Sequence, residues 1–409
     1  MVKANDFKSV DKKPPIVCFA GSDWWYHNRG LYVAQIMPRL AKHNKVLFIN
    51  SLGMRVPSIK TDRFALHKIF RKIYSFAHFL RKDHQSGMYV MSPVTLPLWG
   101  NKLGRLFNTY SILLQLKLAM FLLRINDPVY YIGCPPALEI VKKLGQKRFM
   151  IYERTDLFEE MQGVDKPYIH YLDEELVRLS NLVLYVDVIM YNEGVKKNPN
   201  SLLTGHGVDY SLFANADKSD YVPADIANIP RPIIGYYGDI FEGVFDFDLL
   251  EYLATSMPDM SFVLIGPLSS NVDRLKKYKN IYLLEQKPYE ELPHYAKAFN
   301  VSILPRKKNE WVLHSYPVKI KEYLALGNPF VSVDIPAVSL FGNVVYIAGD
   351  YNDFVSSIRK ALAENPAMKQ VRRESVVNET WDGKVKQIES FIAEELQKRC
   401  ETNIRGSAK

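Results

Sequence analysis

Residues Ser315–Val333 read SYPVKIKEYLALGNPFVSV. Pro317 suits the first turn of a helix, where a missing N–H costs nothing. Lys319 falls in that turn, and Glu322 follows three residues later on the same face. Gly327 ends the helix, Pro329 prevents its continuation, and Phe330–Val333 is an apolar run of strand length. A helix N-terminus with free N–H groups beside a lysine suits a diphosphate. A carboxylate one turn deeper can accept hydrogen bonds from ribose hydroxyls. Lys319 and Glu322 equally fit a solvated i,i+3 ion pair, and their chemistry alone leaves both readings open.

Outward from this stretch, short β-branched or aromatic runs alternate with longer helical patterns. Towards the N-terminus the runs are Ile16–Ala20, Val46–Asn50, Met88–Met91, Val129–Ile132, Phe149–Tyr152 and Leu182–Val186. Leu31–Lys42, Pro136–Leu144 and Tyr171–Leu179 lie between them as helices. Tyr221–Pro232 (YVPADIANIPRP) holds three prolines and reads as a linker. The cycle then restarts with Ile233–Tyr237, Ser261–Ile265, Ile281–Leu284, Val301–Leu304, Phe330–Val333 and Val344–Ile347. Near-continuously apolar strands alternating with helices predict parallel, doubly wound α/β sheets. Two such halves, with Trp381–Gln397 as a closing helix, place a central cleft between the C-terminal edges of two sheets, where ligands of such sheets bind.

At 409 residues, 47% hydrophobic and 24% charged, the chain is too apolar for a disordered class and long enough for two domains. Three cysteines without a CxxC pair argue against a disulfide framework or a cysteine zinc site. Met1–Pro15 is polar and Lys-rich, so no secretory signal is expected, and Ser111–Leu123, broken by Lys117, is too short to span a bilayer. The net charge of +9 leaves nucleic acid, an anionic membrane or a phosphorylated substrate as partners.

Further candidates follow the strands. Tyr152–Asp156 (YERTD) puts carboxylates at a strand end; Asp156 fits either a general base or a helix cap before LFEEM, and Arg154 either orients it or binds acceptor. Gly21–Gly30 (GSDWWYHNRG) offers Trp24, Trp25 and His27 for a sugar ring, or the tryptophans as gap fillers. His206, between two glycines, fits donor contact or a packed histidine. Asp246-Phe247-Asp248 is formally a metal-binding triplet, but it opens an apolar-periodic helix and reads as a cap. Walker A, G-x-G-x-x-G and G-x-S-x-G are absent, as is any metal-ligand spacing.

The segment P-x-K-x-x-E-Y-L-A-x-G-x-P, Pro317–Pro329, resembles the nucleotide-sugar signature of GT-B glycosyltransferases. It is nearest the branch containing teichuronic-acid-type enzymes and the xanthan glucuronosyltransferase. Ile233–Asp239 (IIGYYGD), Phe262–Pro267 (FVLIGP), the stretch from Ile281 to Leu292 and Gly205–Asp209 (GHGVD) extend the likeness over most of the chain. The resemblance implies two Rossmann-like domains, with Lys319 at the donor phosphates and Glu322 at the ribose. It places Gly238, Asp239, Ser315 and His206 in the donor site and Asp156 as the base of an inverting transfer. Many retaining members carry a Glu eight residues before the second one; here that position is His314. The usual basic residues of the first donor-domain turn are missing from GDIFEG, and Arg306 or Lys307 is expected to replace them. Such enzymes generally need no metal, because cationic side chains and helix N-termini carry the diphosphate charge.

The excess charge is local. Between Arg55 and Ile125 stand 12 basic residues against 2 acids, a net +10, so the rest is about neutral. Phe64–Arg81 reads as a basic amphipathic helix suited to an anionic membrane surface, whereas Leu103–Leu123 is expected in the core. The expected organisation is an acceptor-binding domain at 1–221, a nucleotide-sugar domain at 232–375 and a closing segment at 376–409. The expected protein is cytoplasmic, peripheral on the inner membrane face, and moves a sugar from a nucleoside-diphosphate donor to a lipid-linked or saccharide acceptor. No cofactor and no nucleic-acid partner are expected. A nucleotide-sugar 2-epimerase of the same fold and a silent membrane-binding scaffold are the alternatives.

Overall fold

The computed structural model describes residues 13–25, 32–52, 79–95, 102–145, 149–161 and 163–407, with 399–407 as backbone alone. Two compact units emerge: Met1–Thr204 with Val385–Lys409, and Gly205–Lys384.

The first unit carries a sheet of eight described strands: β1 (Ile16–Phe19), β2 (Val46–Ile49), β3 (Leu80–Lys82), β4 (Tyr89–Met91), β5 (Val129–Ile132), β6 (Phe149–Arg154), β7 (Leu182–Tyr185) and β8 (Ser201–Leu203). Their order is β3-β4-β2-β1-β5-β6-β7-β8, and every pairing is parallel except β3 with β4. β1, β2, β5 and β7 are buried along their whole length, which is why they read as unbroken apolar runs. β3 and β8 escape that reading because Leu-Arg-Lys and Ser-Leu-Leu are three residues long and sit at the sheet margins.

The second unit carries β9 (Ile233–Tyr237), β10 (Ser261–Ile265), β11 (Ile281–Leu284), β12 (Val301–Leu304), β13 (Phe330–Val333) and β14 (Tyr346–Ala348), all parallel, in the order β11-β10-β9-β12-β13-β14. That is the 3-2-1-4-5-6 winding of a Rossmann fold, and strands β4, β2, β1, β5, β6 and β7 of the first unit repeat it. In each sheet the order reverses beside the first strand, between β9 and β12 and between β1 and β5. The compact units divide at Thr204, upstream of Tyr221–Pro232. That stretch contains a short helix, Ala224–Ala227, whose Asp225 accepts from Lys287 (2.7 Å) and Tyr295 (2.8 Å) within the second unit.

Two expectations about helices need correction. Leu80 and Arg81 are not the end of an amphipathic helix; they pair antiparallel with Met91 and Val90 as part of β3. Residues 64–78 of that expected helix lie outside the described residues. The Lys102–Leu122 helix is only half core. Ile112, Leu116 and Ala119 are fully buried, whereas Leu103, Leu114 and Phe121 are 81%, 72% and 79% exposed. Its apolar residues run all round, so the sequence supplied a core face without marking the opposite one as exposed.

Candidate functional site

At the reversal point of the second sheet, β9 runs into Gly238 and β12 into Arg306. Gly238 has φ 142°, a conformation closed to residues with a Cβ. Its N–H donates to the Ile265 carbonyl (2.8 Å), which ties the turn after β9 to the turn after β10. A Cβ at Gly238 would stand 2.6 Å from Lys319 Nζ and 2.9 Å from the Tyr236 hydroxyl. The turn is therefore bare backbone because Lys319 fills the space beside it.

Lys319 opens the helix Lys319–Leu326, which Gly327 closes in the left-handed region at φ 84°. Gly327 and Asn328 both donate back to the Tyr323 carbonyl (3.0 and 3.2 Å), a closed helix end before β13. The Lys319 ammonium lies 5.3 Å from the centre of the Tyr236 ring. Burial, and then the charge of Arg306, hold it below the usual lysine range against the pull of Glu322 and Asp239. Asp239 is exposed at the turn, and its carbonyl accepts from the Tyr236 hydroxyl (3.2 Å). Arg306 is half-buried and lines a cavity of about 230 Å³ with Asp246, Lys308 and Asp350. Two cations thus meet at a bare glycine turn on the C-terminal edge of the sheet, an arrangement that favours a bound anion.

Glu322 is 3% exposed. Its Oε2 accepts from the Tyr237 hydroxyl (2.7 Å) and its Oε1 from the Tyr289 hydroxyl (2.8 Å). Burial raises its carboxyl above the usual range, against these two bonds and the Lys319 charge. It is not a solvated partner of Lys319, and each of its oxygens already accepts one bond. An ionised carboxylate offers about four lone-pair sites, so two remain for a ligand. Tyr237 and Tyr289 were not singled out from sequence. The only available signal is that Tyr237 ends β9 and Tyr289 follows β11.

The other donor-side candidates are placed differently. Ser315 turns its hydroxyl back to the Val312 carbonyl (3.0 Å) at the end of the short helix Glu310–Leu313. His314 caps that helix, with Nε2 3.8 Å from Glu310. His206 is 7% exposed and packs between Tyr316 and Trp381, ring centres 5.7 and 5.9 Å away. Its carbonyl accepts from the buried Lys321 (2.6 Å), which also pairs with Glu379 (2.6 Å). Burial and the charges of Lys321 and Lys384 push the imidazole down to about 3, so it stays neutral. These contacts make His206 a packed histidine. Asp246 accepts from Leu249 N–H (3.0 Å) as the cap of helix Phe247–Ser256, in agreement with its reading as a cap.

In the first unit, Asp156 is half-buried two residues beyond β6. The 3-10 turn that follows, Phe158–Glu160, has Leu157 rather than Asp156 at its cap position. Arg154 is 6% exposed, and both its Nε (3.1 Å) and an η nitrogen (2.7 Å) reach the fully buried Asp173. Its guanidinium belongs to the interior, where Tyr152 also donates to Asp173. Glu153 was not singled out from sequence. It is 4% exposed with the Tyr131 hydroxyl against it; burial lifts its carboxyl to about 8, Tyr131 opposes this and the Asp156 charge adds to it. The Trp24 ring packs edge-on against Phe48 (5.6 Å), and the backbone N–H of Trp24 donates to Asn50 Oδ1 (2.9 Å). Trp25 carries Arg81 over its face at 5.1 Å. His27 lies outside the described residues. No group of three potential metal ligands occurs among the described residues.

No family model matches the chain. Among curated proteins it is 27% identical over 196 residues to the "Putative teichuronic acid biosynthesis glycosyltransferase TuaH" of Bacillus subtilis (strain 168). That match takes in 46% of this chain, which spans about half (49%) of the relative. Sucrose-phosphate synthase from Thermosynechococcus elongatus superposes with a TM-score of 0.69 at 14% identity, over 94% of this chain and 100% of that one. Anabaena Alr3699/HepE in complex with UDP and glucose gives 0.65 at 13% identity, over 94% and 100%. The α,α-trehalose 6-phosphate synthase of Burkholderia multivorans gives 0.65 at 11%, over 95% and 100%. The chain has the GT-B fold, with two Rossmann-like domains.

Proposed function

We propose that this chain is a glycosyltransferase that takes its sugar from a UDP-sugar. The observation that carries the reading is the meeting of Lys319, Arg306 and the bare Gly238 turn at the reversal point of the second sheet. Support comes from the HepE structures, which hold UDP and UDP-glucose on the same fold, and from the name of the B. subtilis relative. In this reading Lys319 and Arg306 face the diphosphate, and Glu322, fixed by Tyr237 and Tyr289, takes the ribose hydroxyls through its remaining lone pairs. Asp156 removes the proton from the acceptor hydroxyl as its oxygen bonds to the anomeric carbon. The bond from that carbon to the diphosphate breaks, and the leaving charge falls on the two cations. Inversion at the anomeric carbon follows from this single displacement.

The acceptor in this reading is lipid-linked or a growing saccharide, presented at a membrane on which the protein is peripheral. No helix among the described residues is long and apolar enough to cross a membrane. No metal takes part. The test is a thermal-shift and hydrolysis screen of UDP, GDP and dTDP sugars. Stabilisation and slow hydrolysis with a UDP-sugar are expected, and absence of both with every nucleotide would overturn the reading.

A further inference from the structure

The Lys102–Leu122 helix presents an inverted face. Its inner side buries the polar Asn108 and Thr109 beside Ile112 and Leu116. Its outer side exposes Leu103, Leu106, Phe107, Tyr110, Leu114, Leu118, Phe121 and Leu122, each 48% exposed or more. A solvent-facing helix ordinarily shows charge there. A stripe of large apolar groups along some 30 Å of helix is far beyond scattered exposure and marks an interaction surface. The first five of its residues, with Ser111, line an open groove.

We propose that this face docks on an anionic lipid bilayer, lying in the interface with the helix along the membrane plane. The charges around the stripe choose the partner. Helix Lys102–Leu122 has no acidic residue, and its exposed charges are Lys102 and Lys117. Lys143 lies 4.6 Å from the Tyr110 ring centre, while Lys45 donates to the Leu123 carbonyl (3.0 Å) beside Arg124 at the helix end. Arg105 is turned aside to Asp165 and Tyr168. Apolar and aromatic groups ringed by cations match acyl chains under anionic headgroups. A second copy laid face to face would set these lysines against their own counterparts. Crossing the bilayer is excluded, because the inner face is packed into the core of the sheet. This rests on and deepens the membrane part of the proposed function, to which it adds the Lys102–Leu122 helix.

The full chain is tested by co-sedimentation with phosphatidylcholine vesicles that do or do not contain phosphatidylglycerol. The native chain should bind the anionic vesicles and release at high salt. Leu103→Glu/Leu114→Glu/Phe121→Glu, at positions 72% exposed or more, should lose at least tenfold in partitioning with an unchanged melting temperature. Lys117→Glu, which leaves the apolar stripe intact, should lose about fivefold or more. Native-like binding by both variants, no binding by the native chain, or a dimer that the triple variant dissociates would each overturn the proposal. Stabilisation by UDP, measured on the same proteins, is untouched in every case, so the sugar-transfer reading stands or falls separately.

Discussion

The ammonium of Lys319 stands 2.6 Å from where a Cβ of residue 238 would be, so a side chain at the turn after β9 and the lysine that opens helix Lys319–Leu326 compete for one space. Gly238→Ala should displace Lys319 and strain a backbone at φ 142°. UDP affinity should drop tenfold or more, and stability by roughly 1–3 kcal/mol. Calorimetric titration with UDP together with urea unfolding measures both; unchanged affinity would separate the turn from the phosphate site.

Lys319 is held below the usual lysine range by burial and by Arg306. A bound diphosphate reverses that balance and favours the charged ammonium. UDP binding at about pH 8, above the last phosphate ionisation, should therefore be accompanied by proton uptake. Titration calorimetry in buffers of different ionisation enthalpy reads it directly. Lys319→Arg should abolish the uptake, since arginine stays charged throughout. Binding with no proton exchange in the native chain would count against Lys319 as the phosphate partner.

Tyr289 and Tyr237 hold the two oxygens of a buried carboxylate. Tyr289→Phe leaves one Glu322 oxygen without its donor and should cost roughly 1.5–3 kcal/mol, as bonds to charged groups do. Denaturant midpoints of Tyr289→Phe, Glu322→Gln and the double variant form a cycle. Simple additivity would mean that the bond contributes nothing.

Glu153 has a folded carboxyl lifted from 4.5 to about 8. The folded state therefore holds a proton that the unfolded chain releases between these limits, so stability falls as pH rises from about 4.5 and the loss is complete above about 8. Glu153→Gln should remove that fall. Its stability should exceed the native value in mild alkali, by roughly 5 kcal/mol at most, and match it near pH 4.5. A parallel pH profile for both proteins would refute the assignment.

Asp156 lies two residues beyond β6, ahead of a 3-10 turn whose cap position is Leu157. Asp156→Asn should lower sugar transfer by about 10²–10⁴-fold while UDP affinity stays native. Turnover within a few-fold of native would remove it as the base and point instead to Glu153, three residues earlier in β6.

The Rossmann winding was legible because its signals are local. Apolar runs such as Ile233–Tyr237 and Val301–Leu304 match β9 and β12 residue for residue, and Gly327 stops its helix where expected. β3 was not legible, since Leu-Arg-Lys is neither apolar nor alternating and is a strand only because Tyr89–Met91 lies beside it.

Side-chain partnerships were decided by the fold. Glu322 meets Tyr289 from 33 residues away and Tyr237 from 85, Arg154 meets Asp173 rather than Asp156, and His206 is enclosed by Tyr316 and Trp381. The Lys102–Leu122 helix draws the same line. Its sequence requires a helix with apolar residues on every side, because periodicity and propensity act between near neighbours. Which side faces the sheet depends on what packs against it, and that leaves Leu103, Leu114 and Phe121 facing outward.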